Sequence, residues 1–214
     1  MSVSQAVVGM RRVAFIAARN FYMREMSATD ASERVASWFS QPEVRAGINL
    51  RKASMTTQEL EAYIGRFDQH SRVLLAIVDQ HTDLPVGFID MDIDWKVGRC
   101  LASMVIGEEE YRNTGVTTAV SPAFRAYVFD TLGLKILTAT ALATNVAVAR
   151  YLKGTGWTLQ QVLKGRVTRY DDGEAVDLHL YSLTKEAWND WMASNPERLQ
   201  AMLDDEPNSS RHRK

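Results

Sequence analysis

The segment that decides the fold is residues 110–118, which read EYRNTGVTT. A β-capable run ends just before it and an apolar pattern of helical spacing begins at Val116, so a strand leads into this loop and a helix leads out. The first N–H groups of a helix lack intrahelical partners and carry the positive end of its dipole. Gly115 lets the backbone turn tightly, and Arg112 adds a positive charge. The segment therefore predicts a small pyrophosphate cradle, although an ordinary strand-to-helix turn with a solvated Arg112 also fits it.

Strands are predicted on both sides of this loop. Apolar runs and alternating patterns predict four strands before it and three after it. These are residues 21–26, 72–78, 87–95 and 100–106, then residues 136–143, 163–170 and 175–182. The turn residues Asp171, Asp172 and Gly173 predict that the last two strands form a hairpin.

Helical spacing predicts the remaining elements. Asp30, with Glu33 three residues later, has the spacing of a capping box and predicts one helix start, and Thr57 predicts another. The helix that follows Gly115 is expected to stop at Gly133 and to be disturbed by Pro122. Further helices are predicted after Asn145 and over residues 185–203, which leaves one α+β domain without internal repeats.

Composition and charge exclude several classes of protein. The chain has 214 residues, of which 46% are hydrophobic, as in an ordinary globular domain and unlike a disordered or coiled-coil chain. The formal net charge of −1 gives no bulk attraction to nucleic acid or to an anionic membrane. No apolar run approaches the roughly 18 residues that a membrane span needs. Any anion site must therefore be built locally.

Cysteine and histidine usage excludes further kinds of site. Cys100 is the only cysteine, so no internal disulfide is expected, and the four histidines lack metal-ligand spacing. The first residues lack the pattern of a secretory signal. They are free of acidic residues as far as Glu25, which weakly resembles a mitochondrial presequence. A cytoplasmic protein is the simpler expectation.

Three more segments follow the loop in an order typical of one family. Residues 129–136 read FDTLGLKI, where a helix ends and a strand begins, and residues 177–188 read DLHLYSLTKEAW, a strand followed by a helix. Residues 145–157 read NVAVARYLKGTGW. With these motifs the chain resembles the Gcn5-related N-acetyltransferase (GNAT) superfamily, especially its Rim-type ribosomal-protein alanine acetyltransferase-like branch, from about residue 21 to residue 188.

The resemblance can be followed residue by residue. The family's pyrophosphate motif, Gln/Arg-x-x-Gly-x-Gly/Ala, matches at Arg112 and Gly115 but has Thr117 at its last position. Its helix pattern, N-x-x-S-x-R-x-L-x-x-x-G-F, matches at four positions, with an aromatic residue at the end: Asn145, Arg150, Leu152, Gly156 and Trp157. Val148 stands where many members carry a serine, and Leu152 stands where some carry a tyrosine that acts as an acid.

The resemblance implies a fold and a cosubstrate. The fold would be a mixed, mostly antiparallel sheet, flanked by helices and splayed between its fourth and fifth strands. The cosubstrate would be acetyl-CoA, with no metal, and an amine would attack the thioester directly without a covalent enzyme intermediate. The implied cofactor-binding residues are the fourth-strand backbone for the pantetheine arm, the loop for the pyrophosphate, Asn145 for the arm and Arg150 for a phosphate. The strand and loop positions are Met104, Val105, Ile106, Arg112, Asn113, Thr114, Gly115, Val116 and Thr117.

Three residues are predicted to act in catalysis. An ammonium cannot attack a thioester, so a base or a solvent path must take its proton. Asp92, on one strand face with Asp90 and Asp94, is one candidate base, and a solvated strand face is the alternative. Glu108 is a second candidate, since it lies nearest the end of the fourth strand. Tyr151 is a possible proton donor to the thiolate, although it is one residue away from the family's tyrosine position.

The predicted domain covers residues 20–188, between an N-terminal extension (1–19) and a C-terminal helix with a polar tail (189–214). The acceptor is expected to be a small-molecule or peptide amine, with neither nucleic acid nor membrane as a partner, and the protein a monomer or homodimer. Two alternatives stay open: a CoA-binding module that has lost catalysis, and the same fold with a longer acyl-CoA donor.

Overall fold

The fold is a single mixed sheet with helices on both of its faces. A computed structural model describes residues 16–18, 20–48, 54–170 and 172–204. Its strands are β1 (Ile16–Ala18), β2 (Phe21–Glu25), β3 (Arg72–Asp79), β4 (Leu84–Asp94), β5 (Arg99–Ile106), β6 (Ile136–Leu142), β7 (Thr158–Thr168) and β8 (Ala175–Thr184). Its α-helices are α1 (Glu33–Trp38), α2 (Pro42–Ile48), α3 (Thr57–Ile64), α4 (Val116–Ala126), α5 (Val146–Gly154), α6 (Lys185–Ser194) and α7 (Pro196–Asp204).

The sheet is antiparallel except at one junction. Its strand order is β1-β2-β3-β4-β5-β6-β8-β7, and β5 and β6 run parallel. These two strands pair at only three positions, the last of which is Leu101 with Thr138. Beyond that pair the strands separate. Because β1 precedes the first predicted strand, β5 and β6 are the predicted fourth and fifth strands, and the predicted splay between them is confirmed.

Two apolar layers cover the sheet. Helices α1–α3 lie on what we call the front face, where Trp38 packs with Leu74 and Phe88. Helices α4, α6 and α7 lie on the back face, where Val120 and Trp188 pack over alternate residues of the same strands. Strand β3 is buried on both faces, which explains why its sequence is a continuous apolar run rather than an alternating one.

The start of α1 differs from the prediction. Ser32, and not Asp30, caps this helix by accepting a hydrogen bond from the Val35 N–H group at 3.3 Å. Asp30 instead forms an ion pair with Arg24 at 2.6 Å and accepts a hydrogen bond from the Ser27 N–H group at 2.8 Å. Burial acts to raise the pKa of Asp30, but these partners outweigh it and hold that pKa below its ordinary value.

Two helices also end differently from the prediction. The predicted helix over residues 185–203 is divided into α6 and α7 at Pro196, because proline has no N–H group and restricts the residue before it. Helix α4 continues through Pro122 to Ala126, and a π-helical turn (Tyr127–Thr131) follows it. Gly133 then takes a left-handed conformation, with φ of 68°, as expected of a helix stop.

Parts of the predicted domain division lie outside the described residues. These parts are residues 1–15 and 19 of the predicted extension and residues 205–214 of the predicted tail, together with residues 49–53 and Asp171 of the loops. The division itself therefore stays a prediction. Among the residues described, no helix has the length and apolar character to cross a membrane.

Candidate active site

The separation of β5 and β6 leaves an open backbone edge. We call the gap between residues 102–106 of β5 and residues 139–142 of β6 the cleft. The Gly107 N–H group donates to Val86 in the direction of β4, whereas the Gly98 carbonyl accepts from Lys135 on the β6 side. Since backbone groups alternate along a strand, the even-numbered residues Ala102, Met104 and Ile106 point theirs into the cleft. An extended ligand arm can pair with this edge as an added strand would.

Val105 differs from its two predicted neighbours. It lies opposite Phe88 in the register between β4 and β5, so the same alternation directs its backbone groups toward β4. Its side chain is buried in the front layer. Of the three predicted strand positions, Met104 and Ile106 therefore face the cleft through their backbone.

The N-terminus of α4 lies beyond the end of β5 and is open. Its N-cap is Gly115, with φ of 96°, and no side chain caps the helix. The first turn contains no acidic residue. A Cβ atom placed on Gly115 would meet nothing within 4 Å, so the space beside this N-cap residue is open. The helix dipole and these N–H groups can therefore receive an anion.

The rest of the loop is held by its own contacts. Asn113 is left-handed, with φ of 59°, and the Thr114 hydroxyl donates to the Tyr111 carbonyl at 2.8 Å. Arg112 donates to the Ile106 carbonyl at 3.3 Å and to the Gly107 carbonyl at 2.9 Å, and lies 3.5 Å from Glu43. Arg112 thus fastens the loop to the end of β5, with its charge at the mouth of the cleft.

Glu108 joins the end of β5 to helix α1. Its Oε1 atom accepts a hydrogen bond from Trp38 Nε1 at 2.7 Å and lies 3.0 Å from Arg34 Nε. The Trp38 ring lies against Gly107, where a Cβ atom would overlap it. The carboxylate predicted as a base is therefore already paired and bonded, and it positions α1 beside the cleft.

The three aspartates of β4 differ in depth. Asp92 is 65% exposed and pairs with Arg72 at 3.2 Å, whereas Asp94 accepts from the N–H groups of the following turn. Asp90 is half-buried and accepts a hydrogen bond from the Ser103 N–H group at 3.2 Å. Burial raises the pKa of Asp90, and the neighbouring charge of Asp92 adds to the shift. The alternating sequence predicted that all three side chains share one face of the strand, but it did not indicate how deeply each one is buried.

A tyrosine of helix α3 lies near Asp90. Burial first, and then the Asp90 charge, raises the pKa of Tyr63 to about 12. Tyr63 also packs edge-to-face against Phe39 and Phe67. The front side next to β5 is thus bordered by a carboxylate, a neutral phenol and aromatic rings, which suits an amine with an apolar body.

Helix α5 lies on the back face, beside α4. Asn145 caps α5 by accepting from the Val148 N–H group at 3.2 Å, as predicted, and Arg150 is exposed. The Tyr151 hydroxyl donates to Ser121 Oγ of α4 at 2.5 Å and lies 3.4 Å from the Arg125 guanidinium. Tyr151 therefore joins α5 to α4.

A buried arginine completes this contact between helices. Arg125 is 2% exposed and donates to the carbonyl and the hydroxyl of Thr155 at 3.2 and 3.0 Å. Its guanidinium lies 4.4 Å from the Trp188 ring centroid, on α6, and burial lowers its pKa. No sequence motif indicated this residue.

The described side chains provide neither a cysteine nucleophile nor a cluster of metal ligands. Cys100 is fully buried, and burial raises the pKa of its thiol to about 12, so it stays protonated. Within residues 16–18, 20–48, 54–170 and 172–204, no three histidine, cysteine or acidic side chains are grouped as a metal site would require.

Comparison with known proteins agrees with this geometry. The profile of the acetyltransferase (GNAT) domain family matches residues 20–158. A search of curated protein sequences gave no match. Among solved structures, a GNAT-family acetyltransferase from Bacillus anthracis is 18% identical with a TM-score of 0.68, and the alignment covers 80% of this chain and 99% of that one.

Two other solved structures share the fold. Spermidine N-acetyltransferase from Vibrio cholerae, in complex with CoA and spermine, is 12% identical over 79% of this chain and 98% of its own, with a TM-score of 0.71. Ribosomal-protein-S5-alanine acetyltransferase from Vibrio fischeri is 16% identical over 79% of this chain and 95% of its own, with a TM-score of 0.67. From the profile match and the splayed sheet, the chain belongs to the GNAT acetyltransferase domain family and is an acyltransferase.

Proposed function

We propose that this protein transfers the acetyl group of acetyl-CoA to a primary amine, without a covalent enzyme intermediate. The observation that carries the proposal is the cleft between β5 and β6, whose mouth lies beside the uncapped N-terminus of α4. An open strand edge suits the pantetheine arm, and an uncapped helix start suits the pyrophosphate. A structural neighbour holds CoA, which supports the same cosubstrate here.

The proposed cofactor contacts follow from this geometry. The N–H groups at the start of α4, from Val116 and Thr117, would bind the pyrophosphate, with Gly115 providing the space and Arg112 holding the loop in place. Asn113 and Thr114 shape the loop. Of the more distant predicted contacts, Asn145 caps α5 and Arg150 lies exposed in the middle of that helix, where it would bind a phosphate.

The proposed chemistry uses the edge of β5 and its neighbours on the front face. The Met104 N–H group points into the cleft and would polarise the thioester carbonyl, an oxyanion contribution of about 3–4 kcal/mol in enzymes of this general kind. The amine would lose its proton to the Asp90–Asp92 pair. Asp90 is the better base, because burial raises its pKa toward the working pH.

The other two predicted catalytic residues, Glu108 and Tyr151, are proposed to have less direct roles in the reaction. Glu108 is bonded to Trp38 and Arg34, so it would act by holding α1 against the acceptor side. Tyr151 would have to give up its bond to Ser121 before it could protonate a thiolate.

The acceptor is proposed as a primary amine of a small molecule, an amino sugar or a peptide N-terminus. The named neighbours include an enzyme for spermidine and one for a ribosomal-protein alanine, both at identities that show the fold alone. Asp90 and Asp92 favour a cationic acceptor on the front side. A cytoplasmic location and a monomeric or homodimeric state belong to the same proposal.

Release of the CoA thiol over a panel of amines tests this function. We expect CoA to raise the melting temperature and one class of amine to release thiol from acetyl-CoA. Stabilisation by CoA without thiol release from any amine would instead support a CoA-binding module without catalysis, an alternative suggested by the departures from the family's motifs at Thr117, Val148 and Leu152. Faster thiol release from longer acyl-CoA donors would show that the cosubstrate is a longer acyl-CoA and not acetyl-CoA. If CoA did not stabilise the protein at all, the proposal would be contradicted.

A further inference from the structure

The front layer covers only one half of the sheet. It contains residues of β3, β4 and β5 together with those of the front helices, and among the described residues it contains none of β6, β7 or β8. Leu137 of β6 and Leu183 of β8 belong to the back layer. Since side chains alternate along a strand, the even-numbered residues of β6 and β8 point to the front. The front of this half is therefore open.

Three leucines lie on the open half, and we call them the leucine floor. They are Leu142 of β6, and Leu178 and Leu180 of β8. Leu142 lies directly opposite Leu178 in the register of the two strands. All three are half-buried, and within the part of the chain that the structure describes none packs against a buried apolar cluster. Apolar side chains grouped on an open surface are typical of a binding groove.

The leucine floor lies across the cleft from Asp90. Ser103 and Thr140 each come two residues after the last parallel pair of β5 and β6, so they lie at the same level on the two sides of the cleft. Ser103 is opposite Asp90 in the register of β4 and β5, and Thr140 is opposite Leu180. A line across the front of the sheet therefore runs from the Asp90 carboxylate, over the cleft, to Leu180. We call this space the acceptor groove.

One end of the acceptor groove is closed by a contact between its two sides. Tyr170, at the tip of the β7–β8 hairpin, donates to the Pro42 carbonyl of α2 at 3.4 Å, and the Arg45 guanidinium lies 4.5 Å from the Tyr170 ring centroid. Glu43 of the same helix lies 3.5 Å from Arg112, so this contact is beyond the end of β5. It blocks an extended peptide in that direction, and the groove therefore favours a compact acceptor.

We propose that the acceptor is a small primary amine with an apolar body, and that Leu180 determines this specificity by contacting that body. This inference rests on the proposed acetyl transfer and narrows its acceptor. The nitrogen loses a proton to Asp90 and bonds to the thioester carbon as CoA leaves as the thiolate. The apolar body lies on the leucine floor, where it is removed from water. A polyamine or an amino sugar would bring charged or hydroxyl groups onto the leucines, and their loss of hydration disfavours both.

Straight-chain alkylamines from propylamine to hexylamine test the proposal in the wild-type protein. These amines have nearly the same basicity, so differences in thiol release report the apolar contact. We expect kcat/KM to rise about two- to fourfold with each added CH₂ group. Spermidine, glucosamine and an alanyl peptide are the comparison acceptors, and each should react more slowly than hexylamine.

Leu180→Thr should weaken this dependence on chain length. We expect its kcat/KM for hexylamine to fall about 10-fold, while the KM for acetyl-CoA and the melting temperature stay at the wild-type values. Leu159→Thr is the matched control, because Leu159 is an exposed leucine of β7 that lies opposite Tyr181 and so points to the back face. It should keep the wild-type dependence on chain length.

The outcomes that overturn the proposal differ from those that overturn acetyl transfer. Equal rates for propylamine and hexylamine, or faster thiol release with spermidine, glucosamine or the peptide, would contradict the proposed acceptor and leave acetyl transfer in place. An unchanged dependence on chain length in Leu180→Thr would show that Leu180 does not contact the acceptor. A wild-type protein that released no thiol with any amine would contradict the proposed function itself.

Discussion

Gly107, at the end of β5, shows how one residue fixes the wall of the cleft. The Trp38 ring occupies the place where a side chain of residue 107 would project. The same ring donates to Glu108 and stacks on Phe88 in the front layer. A methyl group at residue 107 would therefore disturb both the Trp38–Glu108 hydrogen bond and the stacking of Trp38 on Phe88.

Replacement of Gly107 by alanine should destabilise the protein. Trp38 would have to shift, and overpacking of a fitted core costs about 1–3 kcal/mol. The measurement is urea unfolding followed by tryptophan fluorescence. Gly47→Ala is the control, because a Cβ atom there meets nothing within 4 Å inside α2, and it should be neutral or stabilising by up to about 1 kcal/mol. Equal free energies of unfolding for the Gly107 variant and the wild type would contradict the fit of Trp38.

Asp90→Asn should raise the stability of the protein and lower its activity. Burial raises the pKa of Asp90 above its ordinary value of 3.8, so the folded state holds this proton to a higher pH than the unfolded state does. Ionisation of Asp90 thus costs stability as the pH rises through its folded pKa, and the asparagine variant should be more stable than the wild type at neutral pH. Its kcat/KM should be lower and should lose the acid limb that the wild type shows as Asp90 becomes protonated.

Asp92→Asn is the matched control for this experiment. The exposed pair of Asp92 with Arg72 contributes little to stability, about 0–1 kcal/mol. We expect a smaller fall in activity and an acid limb that remains. If Asp92→Asn abolished activity while Asp90→Asn did not, the base would be Asp92, as the sequence first predicted.

At the scale of single residues, the sequence predicted side-chain direction better than side-chain environment. Strand alternation correctly placed the β4 aspartates on one face. It could not show that Asp90 lies half-buried near Tyr63 of α3 while Asp92 is exposed, because that depends on a helix distant in the sequence. For the same reason the partners of Glu108 and Tyr151 were not predicted, since Trp38 and Ser121 lie in other elements.

At the scale of elements, helix α4 gives the clearest test of the anion site. Thr117→Glu adds a carboxylate to its first turn, where the helix dipole stabilises a negative charge by about 0.3–1 kcal/mol. The melting temperature without ligand should therefore rise slightly. The same charge repels a pyrophosphate, so the affinity for CoA should fall, as measured by calorimetry.

The control for this variant lies at the other end of the same helix. Ala126→Glu adds the same charge at an exposed position in the last turn of α4, away from the proposed pyrophosphate. Its affinity for CoA should stay at the wild-type value. Its melting temperature should not rise, because the π-helical turn that follows α4 keeps residue 126 away from both ends of the helical segment. Equal CoA affinities for the Thr117 variant and this control would place the pyrophosphate elsewhere.

Elements with strong local signals were predicted correctly, and weakly marked ones were not. Helices α4 and α5 begin at the predicted Gly115 and Asn145, because an N-cap is a local feature. Helix α2 was missed because it is short and owes its place to contacts of Val44 with the front layer. Strand β7 begins before its predicted start, since its exposed first residues show no alternation.

At the scale of the whole molecule, the C-terminal helices differ in what they support. Helix α6 braces the back face: Trp188 stacks on Arg125, and Trp191 Nε1 donates to the Gly154 carbonyl at 3.1 Å. Helix α7 contacts α4; its Leu199 packs against the back layer and its Met202 is buried. The predicted domain end at residue 188 falls inside α6.

Shortened chains test that boundary. A chain that ends after Asn195 should keep its acetyltransferase activity and lose about 2–3 kcal/mol of stability, because burial of one large apolar side chain is worth about this much. A chain that ends after Trp188 should also lose the bond to Gly154 and fail to give a cooperative thermal transition. Equal melting temperatures of the two shortened chains would contradict the bracing role of α6.

The general architecture was largely predictable because the motifs occur in a fixed order along the chain. The splay between β5 and β6 was expected from the resemblance, and the structure shows it. The added strand β1, and the distribution of helices between the faces, were not expected. They depend on packing between distant parts of the chain, which local periodicity does not report.

The short junction between β5 and β6 also has a consequence for folding. Among the residues that the structure describes, three parallel pairs are the only strand pairing between the β1–β5 and β6–β8 parts of the sheet. The crossover through α4 makes these pairs distant in sequence. Contacts of this kind form late and open first, so amide hydrogens at this seam should exchange with solvent faster than those of the doubly buried β3. A ligand bound along the seam would join the two cooperative units, so that cofactor occupancy slows their separation.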